Sequence, residues 1–107
     1  MKIKHWQGYG CVNAKVLKKA ASTSKGVKKI TIEVVGNHEY GLNRSKDKYD
    51  VYNWLLKRFD KSVESYSDIL EIEYIEDSIR IDNCDVDRGV YVITYKWPAY
   101  YRYYYTY

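Results

Sequence analysis

Three observations predict an α+β fold for this chain: a single antiparallel sheet of about five strands with one helix packed across one face. Stretches before residue 36 and after residue 68 alternate apolar and polar side chains with a period of two. One stretch between them, about Asp47 to Phe59, changes to a helical period. A length of 107 residues allows one modest core. With 46% apolar and 30% charged residues, the composition is that of a folded chain. Residues 1–107 read as a single α+β domain with a tyrosine-rich C-terminal segment, 98–107.

Ile3 to Cys11 reads as an irregular strand loosened by Gly8 and Gly10. In Val12 to Lys19, Val12, Ala14 and Val16 fall on one face, with Asn13 and Lys15 on the other. Ala20 to Gly26 is a polar turn. Val27 to Val35 then alternates Ile30, Ile32 and Val34 against Lys29, Thr31 and Glu33, closing a hairpin. A loop from Gly36 to Lys46 leads to the helix, whose stripe is Tyr49, Tyr52, Leu56 and Phe59 beside Leu55, with Val51 and Trp54 on its flanks. Ser45 or Asp47 caps its start, and Lys57 and Arg58 suit its negative end. Asp60 to Asp68 is a polar loop with room for a short helical turn. Ile69 to Glu76 alternates Leu70, Ile72 and Tyr74 against Glu71 and Glu73. A turn at Glu76-Asp77-Ser78, a short strand with Ile79 and Ile81, and a last strand from Val90 to Trp97 complete the order ββ-α-βββ.

Charge is distributed in blocks. Residues 1–32 carry eight lysines and no acid, whereas residues 60–87 hold ten acids against Lys61 and Arg80. Such a chain presents a basic face to phosphates, an acidic face to a basic protein, or both. Neighbouring strands whose charges pair across the sheet are the simpler alternative. Lys15, Lys18, Lys19, Lys28 and Lys29 cluster on the first hairpin as candidate phosphate contacts. Glu71 and Glu73 share one strand face, with Asp82 and Arg80 expected nearby on the next strand.

Eight of the fourteen tyrosines lie between Tyr91 and Tyr107. The run Tyr100, Tyr101, Arg102, Tyr103, Tyr104 offers flat apolar faces, hydroxyls and a guanidinium, which suit a contact surface. Stacking on unpaired bases is the other use of such a run.

Enzymatic chemistry finds little support. Val34-Val35-Gly36-Asn37-His38-Glu39 resembles one motif of the calcineurin-type metallophosphoesterases, which use Asn and His at a two-metal site. That family needs an Asp-x-His upstream and further histidines downstream. Here His5 and His38 are the only histidines, and no Asp precedes Asp47. Structural zinc sites draw ligands in pairs two to five residues apart, a spacing that His5, Cys11, His38 and Cys84 lack. No nucleophile elbow, P-loop or dinucleotide fingerprint is present. No catalytic residue, metal or cofactor is expected. Cys11 and Cys84 read as free thiols of a cytosolic chain. The start Met1-Lys2-Ile3-Lys4-His5 leads into no apolar stretch, so neither a secretory leader nor a membrane span is expected. Monomer and dimer both remain open.

His5-Trp6-Gln7-Gly8-Tyr9-Gly10, Gly36-Asn37-His38-Glu39-Tyr40-Gly41-Leu42 and the stretch from Tyr49 to Lys61 resemble small proteins carried by phages and mobile elements of Gram-positive gut bacteria. Chains of this kind look like anti-CRISPR proteins, which disable guided nucleases such as Cas9. The likeness covers about half the chain and supplies no binding residue. It implies a non-enzymatic inhibitor in the bacterial host cytoplasm, with a guided nuclease or its guide complex as partner. On the residues, the acidic strands with Glu71, Glu73, Glu76, Asp77, Asp82, Asp85 and Asp87 would mimic DNA on a basic channel, with Glu71, Glu73 and Asp82 the ones to neutralise, and the tyrosines would anchor. The alternative is a small nucleic-acid-binding module using the lysine hairpin and stacking tyrosines.

Overall fold

β3 (Val27–Gly36) and β5 (Cys84–Lys96) form the centre of the sheet, because each carries an unbroken alternation of large apolar residues. Ile30, Ile32 and Val34 on β3 and Tyr91, Ile93 and Tyr95 on β5 are fully buried under the helix. The computed structural model describes residues 2–4, 11–22, 26–36 and 44–96. Its five strands are β1 (Lys2–Lys4), β2 (Cys11–Ser22), β3, β4 (Ile69–Ile81) and β5. They pair antiparallel in the order β1-β2-β3-β5-β4 and curl into a half-barrel around one 12-residue helix. The α+β class, the strand number and the single helix are as the periodicity predicts. The partition differs: three strands precede the helix and two follow it. Lys4 lies opposite Cys11, so Ile3 and Cys11 belong to two antiparallel strands rather than one. The predicted turn at Glu76-Asp77-Ser78 is absent. Strand β4 runs through it to Ile81 and reverses at Asp82-Asn83. Both turn residues have positive φ, 50° and 65°, the conformation a two-residue hairpin turn needs and Asp and Asn tolerate.

Two bulges set which side chains share a face. The β2–β3 register shifts between Val16 and Lys18, leaving Leu17 as an extra, exposed residue. A strict period of two puts Lys15 and Lys18 on opposite faces. With the bulge, Lys15 opposes Glu33 and Lys18 opposes Thr31, both on the face away from the helix. A second shift, between Ile69 and Glu71, turns Leu70 out to solvent and puts Ile69 in the core, correcting the predicted inward Leu70. β2 also outruns its predicted end. It pairs to Ser22↔Val27, with Gly26 in the left-handed region (φ 63°) before the last rung.

The helix starts at Asp47, whose carboxylate accepts from the N–H groups of Tyr49 (3.0 Å) and Asp50 (3.1 Å). Ser45 accepts from Asp47 N–H and donates to Asp50. Asp47→Ala should cost about 1 kcal/mol, read as a lower urea midpoint at unchanged slope. The helix is α at Lys48–Val51, π at Tyr52–Leu56 and α again at Lys57–Phe59. The π turn rotates the chain less per residue, so Trp54, Leu55 and Leu56 are all buried. The buried face therefore centres on Val51, Trp54 and Leu55, while Tyr49 is exposed and Tyr52 and Phe59 pack at the margin. This shifts the predicted stripe by about one residue. At the far end Arg58 donates to the Trp54 carbonyl. A short 3-10 turn at Tyr66–Asp68, capped by Ser65, leads into β4. Among the described residues no helix is long and apolar enough to cross a membrane.

Candidate functional site

The face of the sheet turned away from the helix is built from the outward phase of four strands. β2 contributes Lys15, Lys18 and Ala20; β3 contributes Lys29, Thr31 and Glu33. β5 follows with Val90, Val92 and Thr94, and β4 with Glu71, Glu73 and Ile75. Because β5 inserts between β3 and β4, Lys18 and Lys29 are not on strands that neighbour Glu71 and Glu73, while Lys15 lies opposite Glu33. Lys15, Lys18, Lys29, Glu71 and Glu73 form no ion pair among the described residues. Cross-strand neutralisation of the two charge blocks, the simpler sequence reading, does not occur here. Two shallow hollows of about 310 and 390 Å³ run along the face, floored by small residues such as Ala20, Thr31 and Thr94. Lys18 and Lys29 flank them on one side and Glu71 and Glu73 on the other.

The second feature is an arm. β5 leaves β3 at the Val35↔Arg88 rung, and beyond it, among the described residues, β4 and β5 pair only with each other. Four rungs project, Ser78–Asp87, Ile79–Val86, Arg80–Asp85 and Ile81–Cys84, reaching about 13 Å past the sheet. One side of the arm carries the apolar pairs Ile79–Val86 and Ile81–Cys84, separated from Ile75–Val90 on the sheet by the Asp77–Arg88 ion pair. Ile75 is 66% exposed and Ile81 44%. Asp82 forms the tip and Asp85 lies beside it, neither in an ion pair among the described residues. Cys84 is free and exposed.

The other acids of the region are engaged. Arg44 grips Glu76 bidentately (2.6 and 2.7 Å) and reaches Asp87 at 3.5 Å. The Arg44 hydrogen bond, aided by one from Tyr74, holds Glu76 below the usual carboxylate range. Arg88 bridges Glu33 (2.7 Å) and Asp77 (3.2 Å) across the outer face. Tyr74 packs at 4.6 Å against Tyr91, whose hydroxyl donates to the Ser45 carbonyl, and burial pushes both phenols up. These contacts root the arm in the body of the domain.

Asp60 is the one buried carboxylate among the described residues. Only 6% exposed, it accepts from Lys28 (3.0 Å), from Tyr95 (2.7 Å) and from the hydroxyl and N–H of Ser62. Burial alone pushes this carboxyl up, but the hydrogen bonds outweigh it and hold the group well below the usual carboxylate range. Lys28 also lies 3.3 Å from the Ser62 hydroxyl, the arrangement of a Ser/Lys dyad. Its ammonium is committed as a donor to Asp60 and Ser62, so it offers no lone pair to activate a nucleophile.

The helix surface offers a third concavity, a shallow groove of about 300 Å³ lined by Tyr49, Asp50, Asn53, Trp54 and Arg58. Tyr49 and Tyr66 meet edge-on beside it, and Trp54 Nε1 is buried with no hydrogen-bond partner among the described residues.

The predicted site residues are therefore divided. Glu71 and Glu73 lie on the outer face, whereas Asp82 lies at the arm tip, nine residues along the same hairpin and roughly 30 Å away. Asp82 and Arg80 do not face Glu71 and Glu73 from a next strand. Lys15, Lys18 and Lys29 share the outer face, Lys19 lies on the other face opposite Ile30, and Lys28 is withdrawn into the Asp60 cluster. Tyr100, Tyr101, Arg102, Tyr103 and Tyr104 lie outside the described residues, as do His5 and His38. Among the described residues no three His, Cys, Asp or Glu side chains gather as a metal site. Sequence reasoning missed the arm, although it counted Asp85 among the acids. The signal was available: Ile79 and Ile81 alternate up to Asp82-Asn83, and Cys84 and Val86 resume in mirrored phase after it, a two-residue hairpin pattern.

No protein-family model, curated protein or solved structure matches the chain.

Proposed function

We propose that this chain is a non-enzymatic inhibitor of the anti-CRISPR kind, acting by direct binding to a host nucleic-acid-guided nuclease of the Cas9 type. The projecting β4–β5 arm carries the reading. Asp82 and Asp85 at its end, in no ion pair among the described residues, suit a surface of lysines and arginines. Exposed Ile81 on the arm and Ile75 on the adjoining sheet supply apolar anchors. A guided nuclease offers such a surface in its nucleic-acid channel. The Arg44 and Arg88 ion pairs hold the base of the arm, which limits the ordering cost of binding. Tyr100, Tyr101, Arg102, Tyr103 and Tyr104 are proposed to add contact area.

A second reading rests on the β2 bulge, which gathers Lys15 and Lys18 beside Lys29 on one face as phosphate contacts. Glu71 and Glu73 on the same face weaken the attraction, and place this reading second.

Titrating the protein into a Cas9–guide cleavage assay at two DNA concentrations separates the two. An effector-binding inhibitor saturates at a fixed ratio to nuclease whatever the DNA level. The variant Asp82→Lys with Asp85→Lys should need at least about tenfold more protein. A requirement that rises with DNA favours the lysine face. No inhibition at either level rejects the nuclease reading.

A further inference from the structure

The outer face has the charge layout of a surface that fits its own copy. Lys18 and Lys29 stand along one side and Glu71 and Glu73 along the other, none of them in an ion pair among the described residues. The strip between them, Thr31, Val92 and Thr94, is uncharged and half-buried. An uncharged centre with charged rims is the anatomy of a protein interface. Nucleic acid fits this face poorly, because phosphates drawn to the lysines would meet the glutamates within the width of four strands, about 14 Å. A basic or an acidic protein would match one half and be repelled by the other.

A second copy matches both halves. Rotation by 180° about an axis lying in the interface and parallel to the strands exchanges the two sides of the face. Lys18 and Lys29 of one copy then oppose Glu71 and Glu73 of the other, and the reverse pairs form by symmetry. Strand directions are preserved by this axis, which is the aligned packing that two stacked sheets prefer at about 10 Å separation. We infer that the outer faces of two copies pack as a two-fold symmetric sandwich held at its rims by Lys18 and Lys29 against Glu71 and Glu73. Because the axis runs along the strands, both arms project from the same end of the dimer and remain free.

Sedimentation of the full chain at low and at high salt tests this. A dimer is expected at low salt, dissociating as salt screens the rim pairs. The variant Lys18→Glu with Lys29→Glu makes both rims of the uncharged strip acidic, and Glu71→Lys with Glu73→Lys makes both basic. Each alone should raise the dimer dissociation constant at least about tenfold. An equimolar mixture of the two should dimerise again, since one face now complements the other. A wild-type chain that stays monomeric at low salt up to its solubility limit overturns the inference. So does a dimer that survives both reversals, which would place the interface elsewhere. The salt dependence of the wild type needs no variant to fold.

Discussion

Asp60→Ala should destabilise the fold by about 3 kcal/mol, the largest loss expected from a single polar substitution here. Asp60 joins three separate parts of the chain: Lys28 on β3, Tyr95 on β5 and Ser62 after the helix. Truncating it takes the carboxylate from a Lys28 ammonium only 15% exposed, which keeps the Ser62 hydroxyl, and leaves the buried Tyr95 hydroxyl without its acceptor. Loss of the counter-charge of a part-buried ammonium and an unsatisfied buried donor each carry a penalty. The effect should be pH-dependent in a defined direction. The fold holds Asp60 well below its ordinary value of 3.8, so the unfolded chain takes up the proton first as pH falls. Asp60's contribution is thus complete above about pH 5 and is lost as pH drops through 3.8 toward the folded-state value. Urea melts of wild type and Asp60→Asn should differ clearly at neutral pH and converge in acid. A difference that stays constant down the acid limb would show that the carboxylate's charge is not what stabilises. Tyr95→Phe removes one donor and should be markedly milder in wild type than Asp60→Ala. In an Asp60→Ala background it should be close to neutral, because the pair acts as a unit.

Gly89→Ala should cost about 1–3 kcal/mol, although it adds one methyl group to a strand. A Cβ at this position would lie 2.6 Å from Tyr74 Cε2 and 2.7 Å from its hydroxyl oxygen. Tyr74 lies directly over Gly89, filling with its ring the space a side chain would take. The ring must swing away, losing its contact with Tyr91 at 4.6 Å and its hydrogen bond to Glu76 at 3.1 Å. Glu76 is the residue Arg44 grips, so the root of the arm loosens as well. Tyr74→Ala removes the obstacle, and Gly89→Ala in that background should be near neutral. A full penalty in both backgrounds would locate the strain in the β5 backbone instead.

The elements most legible in the sequence are those in which one periodicity runs unbroken. β3 and β5 alternate cleanly, and their inward residues Ile30, Ile32, Val34 and Ile93 sit where alternation puts them. Even Lys28 was readable, since it is in phase with Ile30 and so points inward, toward Asp60. The two bulges were not. A single inserted residue at Leu17 or Leu70 leaves local composition unchanged but reverses every face beyond it. That is why the outer face, which depends on Lys15 and Lys18 falling together, could not be drawn from alternation. The arm was obscured differently. Glu76-Asp77-Ser78 has turn-like composition, but Arg44 and Arg88 neutralise its acids and let the strand continue. The helix stripe moved because a π turn changes the angular step that a helical template assumes.

The position of β5 in the sheet has a consequence for how the protein is made. Val27 pairs with Lys96 and Ile30 with Ile93, so the rungs that close the core join residues more than sixty apart in sequence. The strand synthesised last of the five is a central one. On the ribosome the β2–β3 hairpin and the helix would emerge with their apolar faces uncovered, and no partial chain ending before β5 could bury them. Closure of the core therefore waits for β5 and is governed by long-range contacts rather than by local hairpins. Until that closure, Ile30, Ile32 and Val34 form an exposed β-branched strand, whose lysine neighbours would disfavour strand-to-strand association.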